Sequence, residues 1–231
     1  MGRREVFAPP TAPAPRATAP DIPSRLAAEI RELINEGKLS PGQQLRQQDL
    51  ARRFGISRVP VRETLSLLVA EAAVRHDPNR GFHVAPLSSC EARQLYRIRH
   101  LLETELLSTV RWPDVQELAD LRARLALLDH YLTGGARAAW VRAHRAFHGA
   151  IFALSPDSVL RREVMRLMRQ TDRYRALASP DIAGYRFPAD PEHHLVETLA
   201  AQDRAALLQA YGRDRSAVEE RLLASLTARG L

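Results

Sequence analysis

The chain of 231 residues has one cysteine, Cys90, so no intramolecular disulfide can form and a reducing cytoplasm is the plain expectation. No apolar run approaches the ~18–20 residues of a membrane span. Arg3 and Arg4 are followed by no apolar stretch, which argues against a secretory signal. Lysine is almost missing: Lys38 is the one lysine among 34 basic residues. Acidic residues are fewer, 27, leaving a net charge of +7 and a pI of about 10.4, a balance that permits a nucleic-acid partner without establishing one. Hydrophobic content of 45% is ordinary for a globular protein, and the length suits one large domain or two modest ones.

Composition divides the chain into three. Residues 1–20 are rich in proline and alanine, cannot build a core, and are expected to form a disordered tail. Residues 21–86 read as one small domain and 87–231 as an all-helical second domain; Pro86-Leu87 marks the boundary. Residues 1–86 hold 13 Lys and Arg against 9 Asp and Glu, so positive charge is densest in the first part. The expected fold class is mainly α, a winged helix-turn-helix followed by a six-helix bundle.

The winged module is read from spacing. A first helix runs from about Ser24 to Asn35, capped by Asp21 or Ser24, with Ile22, Leu26, Ile30, Leu33 and Ile34 on its apolar stripe. Gly37 and Leu39-Ser40-Pro41-Gly42 signal a turn. A short helix at Gln47–Phe54 ends in Gly55, suited to a left-handed turn. Ser57 is a favourable N-cap for the next helix, and Pro60 falls in its first turn, where a missing N–H costs nothing. Val74–Asp77 and Phe82–Ala85, joined by Pro78-Asn79-Arg80-Gly81, form a hairpin. That order puts the second helix of the pair into a major groove. Arg58, at its start, offers a guanidinium fork to guanine. Arg62 lies one turn on, and Arg80 sits at the wing tip beside a minor groove or phosphate. Ser57 and Gln48 can meet the DNA backbone, and Arg46 is grouped with them.

Leu39-Ser40-Pro41-Gly42-x-x-Leu45, Asp49-Leu50-Ala51, Gly55-Ile56-Ser57-Arg58-x-Pro60-Val61-Arg62-Glu63-x-Leu65 and Pro78-Asn79-Arg80-Gly81-Phe82-x-Val84 together resemble the N-terminal domain of GntR-family bacterial transcription regulators. Two departures stand out. Gln47 and Gln48 replace an acidic–basic pair usual in the family, and Ala72 stands where the family favours glycine. The resemblance implies sequence-specific binding to a palindromic operator as a homodimer, most often as a repressor.

From Ser88 onward only helices are expected. Ser88 and Glu91 form a capping box opening a helix to about Arg111, with Leu95, Ile98, Leu102 and Leu106 on its buried face. Further helices run to about Tyr131, then about Ala136–Leu154, Ser158–Ala178, Ala189–Gln202 and Asp203–Ala228, a bundle with room for a cavity. Tyr96-x-x-Arg99-x-x-Leu102-Glu103, Phe147-His148 and Glu192-His193-His194-Leu195-Val196-Glu197 resemble the ligand-sensing domain of the FadR/FCD branch, with the helix count of its VanR type. The resemblance implies a small, carboxylate-bearing effector, with Tyr96, Arg99 and His148 as its contacts. It also implies a divalent metal held by a carboxylate and three histidines. Here the corresponding positions are His144, His148, either Glu192 or His193, and Asp214. Register favours Glu192, and residue type favours His193. Two imidazoles with two carboxylates suit Zn²⁺, Mn²⁺ or Ni²⁺; the other reading of these residues is a polar cavity wall without metal. Arg99 has a second reading too, an ion pair with Glu103 at i+4. No nucleophile or general-base motif appears, and Cys90 has no base or second cysteine beside it. Two rival functions remain, a metal-dependent hydrolase built on His144 and His148, and a non-specific architectural DNA binder.

Overall fold

The computed structural model describes residues 22–178 and 191–231. The expected tail, the Asp21 cap and the expected helix start at Ala189 lie outside them. The first domain holds α1 (Ile22–Asn35), α2 (Gln47–Phe54), α3 (Arg58–Ala70), and an antiparallel hairpin of β1 (Val74–Asp77) and β2 (Gly81–Val84) with Val74 opposite Val84. Its core is the apolar stripe of each element: Leu26 and Ile30 from α1, Leu50 from α2, Val61, Leu65 and Leu68 from α3, and Val74, Phe82 and Val84 from the wing. Gly55 takes φ +65°, and its N–H closes α2 on Ala51 and Arg52. Ser57 occupies the N-cap position of α3, but its side chain makes no capping bond, so extended backbone rather than the hydroxyl starts that helix. Ser24 lies inside α1 instead of capping it.

Six helices follow: α4 (Ser89–Ser108), α5 (Val115–Thr133), α6 (Arg137–Phe152), α7 (Ser158–Ala178), α8 (Pro191–Ala200) and α9 (Arg204–Ala228). The Asp114 carboxylate and Glu117 form a reciprocal capping box on α5. At α4 only half of the expected box exists. Ser88 accepts from the Glu91 N–H, while the Glu91 carboxylate turns to Arg173 and Tyr174. The buried face of α4 also differs from expectation. Ala92, Tyr96, Arg99, Glu103, Leu106 and Leu107 face inward, while Ile98 is 46% exposed. The main core runs from Leu106 and Leu107 through Leu121, Leu125 and Leu128 of α5 to Phe147, Ile151 and Phe152 of α6, and on to Leu195, Leu199 and Leu207.

The two domains touch. Helix α1 packs on α6 and α7. Arg142 of α6 pairs with Glu32 of α1, and Arg173 of α7 donates to the Pro86 carbonyl in the connecting segment at 3.2 Å.

Candidate functional site

The first site is the surface built by α2, α3 and the wing. Arg46, Gln48, Ser57, Arg58, Arg62 and Arg80 are all exposed, so each charge or amide is available to a partner. Arg46, Gln48 and Arg58 line one groove of about 290 Å³ that runs against Gly81 of the wing. Arg62 lines a neighbouring groove with Ser66 and His76. The wing tip is held by Asp77, whose carboxylate accepts from the Asn79 and Arg80 N–H groups at 2.8 and 3.1 Å; the Asn79 bond in particular holds the Asp77 pKa below its ordinary value. Ala72 adopts φ 57° in the turn before the wing, the left-handed conformation that accounts for a glycine preference there.

The second site lies inside the helical domain. A one-turn separation on α6 stacks His144 and His148, with ring centroids 4.3 Å apart, and both are buried. Glu192 of α8 faces them. Its Oε1 lies 3.3 Å from His144 Nε2 and 3.8 Å from His148 Nε2, and one ligand atom from each of the three lies within 4.8 Å of the others. Register therefore wins over residue type. His193 turns outward, 3.6 Å from Asp129, with its side chain 45% exposed. Burial pushes the pKa of His144 well below the imidazole range, helped by Arg175 and His148. Burial likewise lowers His148. Both rings are therefore neutral near pH 7, the form that lends a lone pair to a metal. Burial would raise the Glu192 pKa, but the two histidine rings facing it hold it low, so it presents a carboxylate.

These residues wall a small cavity of about 20 Å³, shared with Arg175, Tyr211, Asp214 and Arg215. Asp214 stands at the wall without joining the three donors. Its Oδ2 is buried and has no hydrogen-bond partner among the described residues, and burial raises its pKa. An orphaned carboxylate oxygen beside two neutral imidazoles and a carboxylate is a donor set that fits a divalent cation.

Arg99 and Tyr96 are placed elsewhere. Arg99 is 2% exposed and gives Nε and Nη2 to Glu103 at 2.9 and 2.7 Å and Nη1 to Thr171 at 2.5 Å. The i+4 pair is thus the reading realised, because a buried guanidinium takes the nearest carboxylate. Tyr96 is buried with its ring 5.3 Å from Arg99 and 5.5 Å from Arg215, and neither Tyr96 nor Arg99 lines the cavity. Glu103 also accepts from Arg215 at 2.5 Å and from the Tyr211 hydroxyl. Burial would raise its pKa, but the two guanidiniums override this and bring it to about 2. The two guanidiniums respond in opposite directions. Burial and the nearby Arg215 lower Arg99; burial also works against Arg215, but Glu103 outweighs it and Arg215 rises. Arg175, Tyr211 and Arg215 were missed by the sequence reading. A signal existed for α9: Leu207, Tyr211, Asp214, Arg215 and Val218 recur at helical spacing on one face.

A winged helix-turn-helix with exposed arginines on its second helix, joined to a helical bundle around a buried polar cavity, defines a DNA-binding transcription regulator. Comparison with known proteins agrees. The pattern described as "Bacterial regulatory proteins, gntR family" matches residues 23–84, and the FCD domain matches 94–214. The HTH-type transcriptional regulator BphR of Paraburkholderia xenovorans is 34% identical over 217 residues, spanning 89% of this chain and 84% of that one. The HTH-type transcriptional repressor GlaR of Escherichia coli is 33% identical over 152 residues, 63% of this chain and 69% of its own. Escherichia coli McbR/YncC has the same fold, with a TM-score of 0.78 at 23% identity over 89% of this chain and 99% of that one. The chain belongs to the GntR family of transcription regulators, with an FCD domain as its second part. Among the described residues no helix is long and apolar enough to cross a membrane.

Proposed function

We propose that the chain is a cytoplasmic, homodimeric repressor of a palindromic operator, released or tightened by a small anionic effector in the helical domain. The observation carrying this reading is the buried trio of His144, His148 and Glu192 beside Arg175 and Arg215. His144, His148 and Glu192, with Asp214 at the edge, would hold Zn²⁺, Mn²⁺ or Ni²⁺. When bound, such an ion supplies a Lewis-acid centre that orients an effector carboxylate. Arg175 and Arg215 take the anion-facing role first expected of Arg99, since both line the cavity and Arg99 does not. Among the known relatives, GlaR is named a repressor, which supports that sense of regulation. Communication has a physical route. Helix α6 carries both histidines and Arg142, which grips Glu32 of α1. Helix α7 carries Arg175 and Arg173, which grips the connecting segment. A ligand that favours one arrangement of α6 and α7 thereby shifts the DNA-binding domain.

The test is elemental analysis of the purified full chain and of His148→Ala, paired with melting after loading with Zn²⁺, Mn²⁺ and Ni²⁺ in turn. Near-stoichiometric metal in the parent and its loss in the variant are expected. No retained metal and no melting shift with any of the three ions would assign the trio to a metal-free cavity wall.

A further inference from the structure

Gln44 lines the same groove as Arg46, Gln48 and Arg58 but is not one of the contacts expected from the sequence. It lies in a segment that runs antiparallel to β2: the Gly42 N–H donates to the Val84 carbonyl at 3.0 Å, Val84 to Gln43 at 2.9 Å, and Leu45 to Phe82 at 2.7 Å, with Gln44 opposite His83. Alternation along an extended segment sends Leu45 into the core and leaves Gln44 on the exposed face. An exposed amide there would ordinarily be solvated. Both ends of this one are instead bonded to protein. Nε2 donates to the Arg80 carbonyl at 2.8 Å, and Oε1 accepts from Arg46 Nε at 3.3 Å. A guanidinium only donates and a carbonyl only accepts, so the partners themselves fix which end of the amide is which.

The two residues it joins, Arg46 and Arg80, are candidate DNA contacts on different elements. Gln44, Arg46, Gln48 and Arg58 all line the groove against Gly81. A wing tip reached through a turn and an arginine with a long flexible stem would each have to be ordered when DNA binds, which weakens association. We propose that Gln44 is a positioning residue of the DNA interface: its amide holds Arg46 and the wing tip at Arg80 in fixed relation across the groove that Arg58 enters. It adds no charge, so its effect falls on recognition of a particular sequence rather than on the general attraction to phosphates.

The experiment uses the full chain and a DNA fragment enriched from random sequence by the parent protein. Affinity for that fragment and for random DNA, the salt dependence, and the melting temperature are compared for Gln44→Ala, Gln44→Glu, Arg46→Ala and the Gln44→Ala/Arg46→Ala double variant. Gln44→Ala is expected to bind the enriched fragment about fivefold more weakly, with random-DNA affinity, salt slope and melting unchanged. Arg46→Ala should cost less in the Gln44→Ala background than in the parent, because a loosened arginine has less to lose. Gln44→Glu should be worse than alanine, since it loses the N–H for Arg80 and adds a negative charge facing phosphate. Additive losses, equal losses on both DNAs, a lowered melting temperature, or full affinity in Gln44→Ala would each overturn the proposal.

Discussion

Replacing Glu103 with glutamine removes the one carboxylate shared by Arg99 and Arg215 while keeping its shape. All three side chains are buried, Glu103 at 0% exposure, Arg99 at 2% and Arg215 at 5%, so water cannot compensate the two guanidiniums. Two routes give the magnitude. Breaking a buried ion pair by removing one partner costs about 3–5 kcal/mol. A carboxyl held at about 2 against an ordinary 4.5 carries about 3 kcal/mol of pH-linked stability. Taking the ~3 kcal/mol on which the two routes agree, at about 2–4 °C per kcal/mol for a chain of this size, the melting midpoint of the variant should fall by at least roughly 6–12 °C. The acid limb tests the same point with a definite sign. Because folding depresses the pKa of Glu103, its contribution is present above pH 4.5 and is lost as pH falls toward 2. The parent should therefore lose stability through that window more steeply than Glu103→Gln does. Scanning calorimetry at several pH values reads both effects, with the exposed Glu105→Gln as a control expected to stay within about 0.5 kcal/mol. A Glu103→Gln midpoint within 2 °C of the parent and parallel acid limbs would refute the ion network as described.

Three further outcomes are expected. Arg58→Ala should weaken binding to an enriched operator by about 1–3 kcal/mol and relax sequence preference at one position, read by fluorescence anisotropy on a panel of single-base variants. Ala72→Gly should raise stability by about 0.5–1 kcal/mol in urea unfolding, because the φ of 57° strains alanine and not glycine. Glu32→Ala should leave the melting of the helical domain unchanged but loosen the seating of α1 on α6, seen as faster amide exchange in α1.

The winged module was legible because its signals are local. Gly55 marks the left-handed end of α2, Pro78 to Gly81 mark the wing turn, and the apolar stripe from Val61 to Leu68 follows the helical period. The histidine pair was legible from its spacing of four on α6, and Glu192 from the inward register of Leu195 and Leu199. Helix α4 misled because its most buried stripe is partly polar: Arg99 and Glu103 lie beneath the surface while Ile98 faces outward. Periodicity assigns a buried face by apolar residues, and it fails where a buried ion network replaces them. The partners that stabilise that network, Thr171 and Arg215, lie 72 residues from Arg99 and 112 from Glu103, a distance that no local pattern reports. The missing cap at Ser57 and the half-formed box at Ser88 failed for a smaller reason, since a side chain able to cap can be left without a bond or its partner drawn to a stronger one.

The most direct test of the account is selection of DNA by the full chain from a random library, followed by competition against bulk random DNA. An inverted repeat should be enriched and bound at least about 10³-fold more tightly than random sequence, and Arg58→Ala should give up about 1–3 kcal/mol of that preference. Enrichment of no motif, with random DNA competing as well as any selected fragment, would contradict it.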